Sequence, residues 1–458
     1  MLDDTVAAIS TPIGEGGIGI VRLSGPRALA IAGELFRRQR GLTVAPALRS
    51  HRLYHGWICD PQSGEPLDEV LLAYMRGPGT YTREDVVEID CHGGPLPLRR
   101  VLELCLRLGA RLAEPGELTL RAFLNGRLDL AQAESVLDVV RARTETGLRL
   151  AVEQLGGRLS SAIRDLRRQV LEVLAYLTAT IDFVEDEIPP QDVAGPLEMT
   201  LARVDELLAS ADAGIVYRQG LQVAIVGRPN VGKSSLLNAL LRQERAIVTP
   251  IPGTTRDTLA ETLNLRGIPV VLVDTAGIRE SDQLVERLGV ERSRRATAAA
   301  DLVLFVLAGD EPLTGYDREV AALLADKPAV LVLNKADLPT AISAAEAAAL
   351  VPGRPLVRTA ATGGEGLAEL EEAIVQAVFA GRAAPSAEPL VSNPRHKQAL
   401  WRAREHLAAA REAYAAGLPV DCATIDLSAA VNALGEITGE SATEDLLDTI
   451  FNQFCIGK

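Results

Sequence analysis

The sequence predicts a three-part protein, in which an α+β domain is followed by an all-α helical domain that an inserted α/β domain interrupts. The chain has 458 residues, about three times the length of a typical domain of roughly 150 residues. Two stretches with apolar residues at helical spacing flank one stretch of short, continuous apolar runs. We place the three parts at residues 1–119, at residues 120–214 together with 381–458, and at residues 215–380.

The N-terminal part mixes short apolar runs with glycine and proline. Residues 18–23 and 86–89 are such runs, and residues 98–108 carry one helical pattern. This mixture is typical of an α+β domain.

The second part carries long helical patterns. Apolar residues recur at helical spacing at Leu128, Ala131, Ala133, Val136, Val139 and Val140, and then at Leu166, Val170, Val173, Leu174 and Leu177. Pro189-Pro190 must interrupt the pattern, because proline cannot donate a backbone hydrogen bond and restricts the residue before it. The helical pattern returns after Pro385. We therefore expect one helical domain split by an insertion, which is easy when the ends of the insert lie close together.

The inserted part contains four continuous apolar runs, at residues 223–226, 270–273, 302–307 and 330–333. Strands that are buried on both faces of a parallel or mixed sheet have this pattern. Helical segments separate the runs, so this part is predicted to be an α/β domain.

Composition limits the classes of function. Lys and Arg number 47 against 61 Asp and Glu, which gives a net charge of −14 and argues against a basic nucleic-acid coat. The five cysteines form no CxxC pair, so neither a disulfide scaffold nor a zinc ribbon is indicated. The N-terminus lacks a basic signal sequence, and no apolar run approaches the roughly 18 residues of a membrane span. We expect a cytoplasmic protein without membrane contact.

Residues 227–234, Gly-Arg-Pro-Asn-Val-Gly-Lys-Ser, match the phosphate-binding loop pattern between a predicted strand and a predicted helix. Glycines let backbone N–H groups approach phosphate, and the helix N-terminus adds partial positive charge. Lys233 is expected to reach the outer phosphates and Ser234 to hold a magnesium ion.

Three further elements complete the pattern, one of them between the phosphate-binding loop and Asp274. Asp274-Thr275-Ala276-Gly277 comes after a predicted strand and offers a carboxylate for the magnesium shell and a glycine N–H for the γ-phosphate. Asn334-Lys335-Ala336-Asp337 offers a carboxylate that can accept from N1 and the 2-amino group of guanine. Gly253-Thr254-Thr255 places threonine where a mobile loop could close on the γ-phosphate.

Together these elements resemble the GTPase superfamily over residues 221–380, which implies an inserted α/β P-loop GTPase (G) domain. The sequence departs from the superfamily pattern twice. The last guanine loop reads Ala360-Ala361-Thr362 instead of Ser-Ala-Lys, and Ile278 stands where many GTPases carry a water-orienting glutamine. A polar group on the following segment must then orient the water, with Glu280, Asp282 and Glu286 as candidates.

The predicted GTP-binding set combines the four elements. It consists of Asn230, Val231, Gly232, Lys233, Ser234, Ser235, Thr249, Pro250, Ile251, Pro252, Gly253, Thr254, Thr255, Asp274, Thr275, Ala276, Gly277, Asn334, Lys335 and Asp337.

Motifs outside the G domain extend the resemblance. They are residues 4–9, 16–25, 81–88, 92–94, 115–117, 121–130, 434–440 and 454–458. With the inserted G domain, they resemble the MnmE (TrmE) family of tRNA modification GTPases over essentially all 458 residues. Cys455-Ile456-Gly457-Lys458 could also be read as a prenylation box, but a final lysine and the lack of a preceding polybasic stretch disfavour that reading.

The resemblance implies a tetrahydrofolate-binding, homodimer-forming N-terminal domain and an FAD-dependent MnmG-type partner that carries the FAD. Such proteins add an aminomethyl or carboxymethylaminomethyl group at C5 of the wobble uridine of certain tRNAs, using 5-formyl- or methylene-tetrahydrofolate. The resemblance places folate at Arg22, Glu88, Arg127 and Lys458 and gives Cys455 a role in the chemistry. Without it, Arg22 and Glu88 would read as an ordinary surface ion pair.

The resemblance also implies a potassium-dependent G domain in which the ion replaces an arginine finger. Asn230, Thr249, Ile251 and Thr254 match the positions that hold K⁺, while Ser234 and Thr255 are expected to hold Mg²⁺. Glu286 matches the catalytic glutamate, so we choose it over the two other acidic candidates.

A ribosome-assembly GTPase that acts as an RNA-binding switch without covalent chemistry is the alternative. It would use the same G domain with a basic RNA-binding module. The net charge of −14 disfavours it, and its RNA contact would have to be a local patch such as Arg37, Arg38 and Arg40.

Overall fold

The structure of the protein is a computed structural model that describes residues 3–39, 48–183, 188–243, 262–273, 286–379 and 391–458. For residues 242–243 and 286–292 it describes the backbone alone. It contains a seven-stranded sheet, a set of long helices and a six-stranded sheet. The predicted fold class is confirmed.

The first sheet and its helices occupy the N-terminal part. The elements are β1 (Val6–Ile9), β2 (Gly16–Ser24), α1 (Ala28–Leu35), β3 (Phe36–Arg37), β4 (Arg52–Cys59), β5 (Pro66–Met75), β6 (Val86–Gly93), α2 (Pro95–Arg107) and β7 (Arg111–Leu112). The strand order is β3-β4-β5-β6-β2-β1-β7, and all pairs are antiparallel except β1 with β7.

The pleat of β6 separates core residues from polar ones. Val87, Ile89 and Cys91 belong to the apolar core that also contains residues of α1 and α2. Glu88 and Asp90 alternate with them, so they project from the opposite face of the sheet. Arg22 on β2 lies directly across from Glu88, and cross-strand partners share a face. The register therefore brings these two charged residues together.

Five helices follow: α3 (Glu117–Leu124), α4 (Leu130–Arg141), α5 (Glu145–Leu155), α6 (Arg158–Asp182) and α7 (Ala194–Gln219). Asp129 caps α4 in a reciprocal capping box with Gln132. The boundaries that we set at 119/120 and 214/215 fall inside α3 and α7. No proline interrupts α7 after its first turn, and the helix continues to Gly220, whose φ of +83° ends it.

The second sheet lies in the inserted part. Its elements are β8 (Leu221–Val226), α8 (Lys233–Gln243), β9 (Thr262–Leu265), β10 (Ile268–Val273), α9 (Glu286–Ala299), β11 (Leu302–Ala308), α10 (Gly315–Ala322), β12 (Ala329–Asn334), α11 (Ala344–Leu350), β13 (Leu356–Arg358) and α12 (Leu367–Val378). The strand order is β13-β12-β11-β8-β10-β9, with β9 antiparallel and the others parallel.

Both faces of this sheet are covered. Along β11, Leu304 and Val306 belong to one apolar cluster, and Phe305 and Leu307 belong to another. Every residue of β11 and β12 is buried. The continuous apolar runs of the sequence are therefore strands with a packed layer on each side.

Three helices complete the chain: α13 (Pro394–Ala415), α14 (Val420–Thr438) and α15 (Glu444–Phe451). One apolar cluster joins residues on both sides of the inserted sheet, including Val170 on α6, Val204 on α7, Leu407 on α13 and Leu427 on α14, all with no exposed surface. Across the described residues, every helix is too short or too polar to cross a membrane.

Two carboxylates of α4, one turn apart, hold the chain where it enters and leaves the inserted sheet. Asp138 accepts from Nε of Arg218, at the end of α7, at 2.7 Å. Glu134 accepts from Asn393, Arg395 and His396, at the start of α13, at 2.6–3.0 Å. Residues i and i+4 lie on one face of a helix. The same face of α4 therefore binds the end of α7, which leads into the inserted sheet, and the start of α13, which follows it.

Candidate functional site

The loop between β8 and α8 has the backbone that the phosphate-binding pattern predicts. Gly227, Asn230 and Gly232 have φ values of +148°, +64° and +94°. A Cβ at Gly227 would collide with the carbonyl oxygen of Val306, and one at Gly232 with Nδ2 of Asn334. Both positions therefore require glycine for two reasons, the backbone angle and the lack of space.

Lys233 is the first residue of α8, and its side chain folds back over the loop. Its Nζ donates to the carbonyl oxygens of Gly227 at 2.8 Å and Arg228 at 2.6 Å. Ser234 and Ser235 follow in the first turn of the helix and are exposed. The ammonium thus lies against the loop that leads into the helix N-terminus, and both groups favour an anion such as phosphate.

Asn334, at the end of β12, links three segments of the nucleotide site. Its Nδ2 donates to the carbonyl of Val231 in the phosphate loop at 2.9 Å. Its Oδ1 accepts from the Thr359 hydroxyl at 3.1 Å and from the Ala361 N–H at 3.2 Å. Asp337, three residues further on, is exposed, as a carboxylate that receives a guanine base must be.

Thr359 lies directly before Ala360-Ala361-Thr362, where the sequence departs from the Ser-Ala-Lys pattern. The buried Thr359 hydroxyl and the backbone N–H of Ala361 both donate to Asn334 Oδ1, so this loop is tied to the guanine loop without a serine. We did not single out Thr359 from the sequence. A hydroxyl residue directly after the short apolar segment at 356–357 is the signal that could have identified it.

Several predicted residues lie outside the described part of the chain. They are Thr249, Pro250, Ile251, Pro252, Gly253, Thr254, Thr255, Asp274, Thr275, Ala276, Gly277, Ile278, Glu280 and Asp282. Glu286 is the first residue of α9, and its side chain is likewise outside the description. Of the predicted metal ligands, Ser234 and Asn230 are described. In the described ranges, no three His, Cys, Asp or Glu side chains are grouped to hold a metal ion.

Two of the predicted folate residues, Arg22 and Glu88, lie on the face of the first sheet opposite α1 and α2. Arg22 donates from Nε to Glu88 Oε1 at 2.8 Å, and both side chains are about one quarter exposed. Asp90 lies two residues beyond Glu88. Burial and the Glu88 charge raise the pKa of Asp90, and its Oδ1 has no hydrogen-bond partner among the described residues.

Arg127 approaches the same region through Tyr81. Its guanidinium lies over the Tyr81 ring, 4.7 Å from the centroid, in a cation–π contact. The Tyr81 hydroxyl is 2.9 Å from that of Thr119. Burial raises the pKa of Tyr81, whereas the charges of Arg127 and Arg22 oppose the rise. Tyr81 therefore lies within electrostatic reach of two of the four predicted folate ligands.

The C-terminal tail lies against β1 and the start of α3. Ser10 Oγ donates to the carbonyl of Gly457 at 3.0 Å, and Ile456 forms a bridge with Pro115. Burial and the positive charge of Arg22 lower the pKa of Lys458. Cys455 itself is exposed. The N–H of Ser10 also donates to the carbonyl of Ile20 on β2, so the tail ends beside the strand that carries Arg22.

Comparisons with known proteins bear on this arrangement. A family model described as the GTP-binding protein TrmE N-terminus matches residues 5–127, and the MnmE helical domain matches residues 130–455. A tRNA modification GTPase MnmE of Chloroflexus aurantiacus is 55% identical over 459 residues, and one of Moorella thermoacetica is 53% identical over 464. Each alignment covers 100% of both chains. The chain belongs to the MnmE family of tRNA modification GTPases.

The predicted resemblance to the MnmE family is confirmed, and with it the prediction of a GTPase that takes part in tRNA modification. Among solved structures, the G domain of the T. maritima FeoB iron transporter is 27% identical; the match covers 34% of this chain and 98% of that one, with a TM-score of 0.26.

Proposed function

We propose that this member of the MnmE family, with an FAD-dependent MnmG-type partner and a tetrahydrofolate one-carbon unit, adds an aminomethyl or carboxymethylaminomethyl group at C5 of the wobble uridine of certain tRNAs. The observation that carries the proposal is that the tail with Cys455 and Lys458 contacts Ser10, whose N–H donates to the carbonyl of Ile20 on the strand that carries Arg22 of the Arg22–Glu88 ion pair.

The residue types of this region suit a folate. Arg22, Arg127 and Lys458 are cations that can bind the carboxylates of its glutamate moiety. Glu88 and Asp90 are acceptors for the N–H donors of a pterin ring, and the Asp90 oxygen without a partner leaves one acceptor unused. When bound, the folate supplies the one-carbon unit. The chain contributes the binding groups and holds Cys455 at an exposed position in the tail.

For the nucleotide half of the function, we propose GTP with Mg²⁺ at Ser234 and Thr255, and K⁺ at Asn230, Thr249, Ile251 and Thr254. Glu286 would orient the attacking water when two G domains of a homodimer meet. GTP hydrolysis would then drive a conformational cycle that serves the modification. The loop geometry around Lys233 and Asn334 supports the nucleotide part of this proposal.

Nucleoside mass spectrometry of tRNA tests the modification. Cells that lack the chain are complemented with wild type, with Cys455→Ser, or with Cys422→Ser, which removes the other exposed cysteine as a matched control. We expect wild type and Cys422→Ser to restore a C5-modified uridine and Cys455→Ser to fail. If both variants restore it, Cys455 has no chemical role. If the uridine never depends on the chain, the modification role is rejected and the ribosome-assembly switch takes its place.

Calorimetric titration with 5-formyl-tetrahydrofolate tests the folate site separately. Arg22→Ala and Lys458→Ala are expected to weaken binding at least tenfold, because each removes a charged contact. Arg168→Ala, on the exposed face of α6, is the control. Equal affinity in all four proteins would reject this site.

A further inference from the structure

One carboxylate of the inserted domain bridges the two loops of the nucleotide site. Glu311, just after β11, places Oε2 at 2.8 Å from the guanidinium of Arg228 in the phosphate loop. Its other oxygen, Oε1, is 3.4 Å from Nζ of Lys335 in the guanine loop. We propose that Glu311 is a positioning residue for guanine-nucleotide binding, which fixes the position of the phosphate loop relative to the guanine loop.

The segment that carries Glu311 is itself fixed to the guanine loop. The N–H of Gly309 donates to the carbonyl of Asn334 at 2.8 Å, and the N–H of Ala341 donates to the carbonyl of Gly309 at 2.7 Å. Asp310, between Gly309 and Glu311, contacts Lys335 at 3.1 Å. The backbone that carries Glu311 is therefore held against the guanine loop. The contact of its side chain with Arg228 then connects the guanine loop to the phosphate loop.

Both partners of Glu311 are connected to groups that are expected to bind the nucleotide. The carbonyl of Arg228 accepts a hydrogen bond from Lys233, so a shift of Arg228 moves an oxygen that holds the phosphate-binding lysine. Lys335 has a φ of +63°, a conformation that a non-glycine residue keeps only when its surroundings hold it there. Asp337, the expected base ligand, lies two residues further on. Glu311 thus acts on both ends of the nucleotide through Arg228 and Lys335.

The guanidinium of the Arg228–Glu311 pair is largely buried, whereas its carboxylate is partly exposed. The side chain of Arg228 is 14% exposed and that of Glu311 43%. Arg228 faces a second carboxylate, Asp317, which is 1% exposed and 4.0 Å from its Nε. Asp317 contacts only the Arg228 side of this network, and Asp310 contacts only the Lys335 side. Of the three carboxylates, Glu311 alone touches both loops.

Stopped-flow release of a fluorescent GDP from the full-length protein tests the role. Glu311→Gln is expected to raise the dissociation rate about fivefold to tenfold and to change the association rate less than twofold. The reason is that the contact between the two loops retains the nucleotide only once both loops enclose it. Asp310→Asn, which leaves the bridge intact, is expected to have the smaller effect. Glu319→Gln, an exposed carboxylate on α10, is the control and is expected to match wild type.

A double-mutant cycle separates positioning from a general loss of folding. If Glu311 acts through Arg228, adding Glu311→Gln to Arg228→Gln changes the dissociation rate less than twofold. Full additivity of the two effects overturns the proposal, and so does a dissociation rate in Glu311→Gln equal to that of Glu319→Gln. A lower melting temperature of the nucleotide-free Glu311→Gln protein with an unchanged dissociation rate also overturns it. If both the melting temperature and the dissociation rate change, the double-mutant cycle decides between positioning and a general loss of folding.

Discussion

Removal of the Glu134 carboxylate should destabilise the helical domain more than removal of any exposed carboxylate. Glu134 is 7% exposed and accepts four hydrogen bonds, from Asn393, from Nε and Nη2 of Arg395, and from His396. Burial alone would raise the pKa of Glu134, but the hydrogen bonds from His396 and Arg395 and the charge of Arg395 hold it well below its usual range. The carboxylate is therefore ionised and fully engaged.

The size of the effect follows from the partners left behind. Glu134→Ala leaves the donors of a largely buried arginine and of a fully buried histidine without an acceptor, and breaking a buried charge pair costs about 3–5 kcal/mol. Glu134→Gln keeps one carbonyl oxygen, so we expect a loss of about 1–3 kcal/mol. Glu172→Ala, on the exposed face of α6, should stay within about 0.5 kcal/mol of wild type.

Urea unfolding followed by tryptophan fluorescence provides the assay. The chain has two tryptophans, and Trp401 lies on α13, the helix that carries Arg395 and His396. A Trp57→Phe background leaves Trp401 as the reporter of the helical domain. A cost below about 1 kcal/mol for Glu134→Ala, or a cost equal to that of Glu172→Ala, would refute the reasoning.

Four further predictions concern the nucleotide site and pH. Gly232→Ala should abolish measurable GTP binding by calorimetry, because its Cβ meets Asn334 at a φ of +94°; near-normal affinity would contradict the loop geometry. Glu286→Ala should retain GTP binding and lose about 10²-fold or more in phosphate release, and unchanged turnover would reject Glu286 as the catalytic residue. Hydrolysis should be faster in potassium than in sodium at equal ionic strength, whereas equal rates would count against the cation site. Burial lowers the pKa of His396 below its ordinary 6.5, so the unfolded chain binds a proton that the folded chain does not. The free energy of unfolding should then fall as pH drops below about 6.5, by up to about 1.4 kcal/mol per pH unit, and His396→Gln should flatten this slope; an unchanged slope would argue that His396 does not titrate.

The nucleotide site could be predicted in part because its signals are local. Gly227, Gly232 and Lys233 follow a strand and begin a helix, and that order alone gives the loop its shape. The support behind the loop was not predictable from the sequence. Asn334 bonds Val231 across 103 residues, and Thr359 and Glu311 reach the site from other strand ends. Their positions depend on which strands are neighbours in the sheet.

The domain boundaries show the same limit. The change of apolar pattern located the transitions near residues 119 and 214, yet α3 and α7 continue through both points. A helix ends where its backbone hydrogen bonds end, here at Gly220, and this does not coincide with the change from one core to another.

The sequence by itself determined the fold class, the phosphate loop and the family, because apolar spacing and contiguous motifs involve residues that are close together in the sequence. Only the tertiary structure decided the long-range pairs, such as His396 with Glu134 across 262 residues and Ser10 with Gly457 across 447. Such pairs depend on strand register and on how helices cross. Those are set by the packing of the whole core, to which each residue contributes only a small part of the free energy.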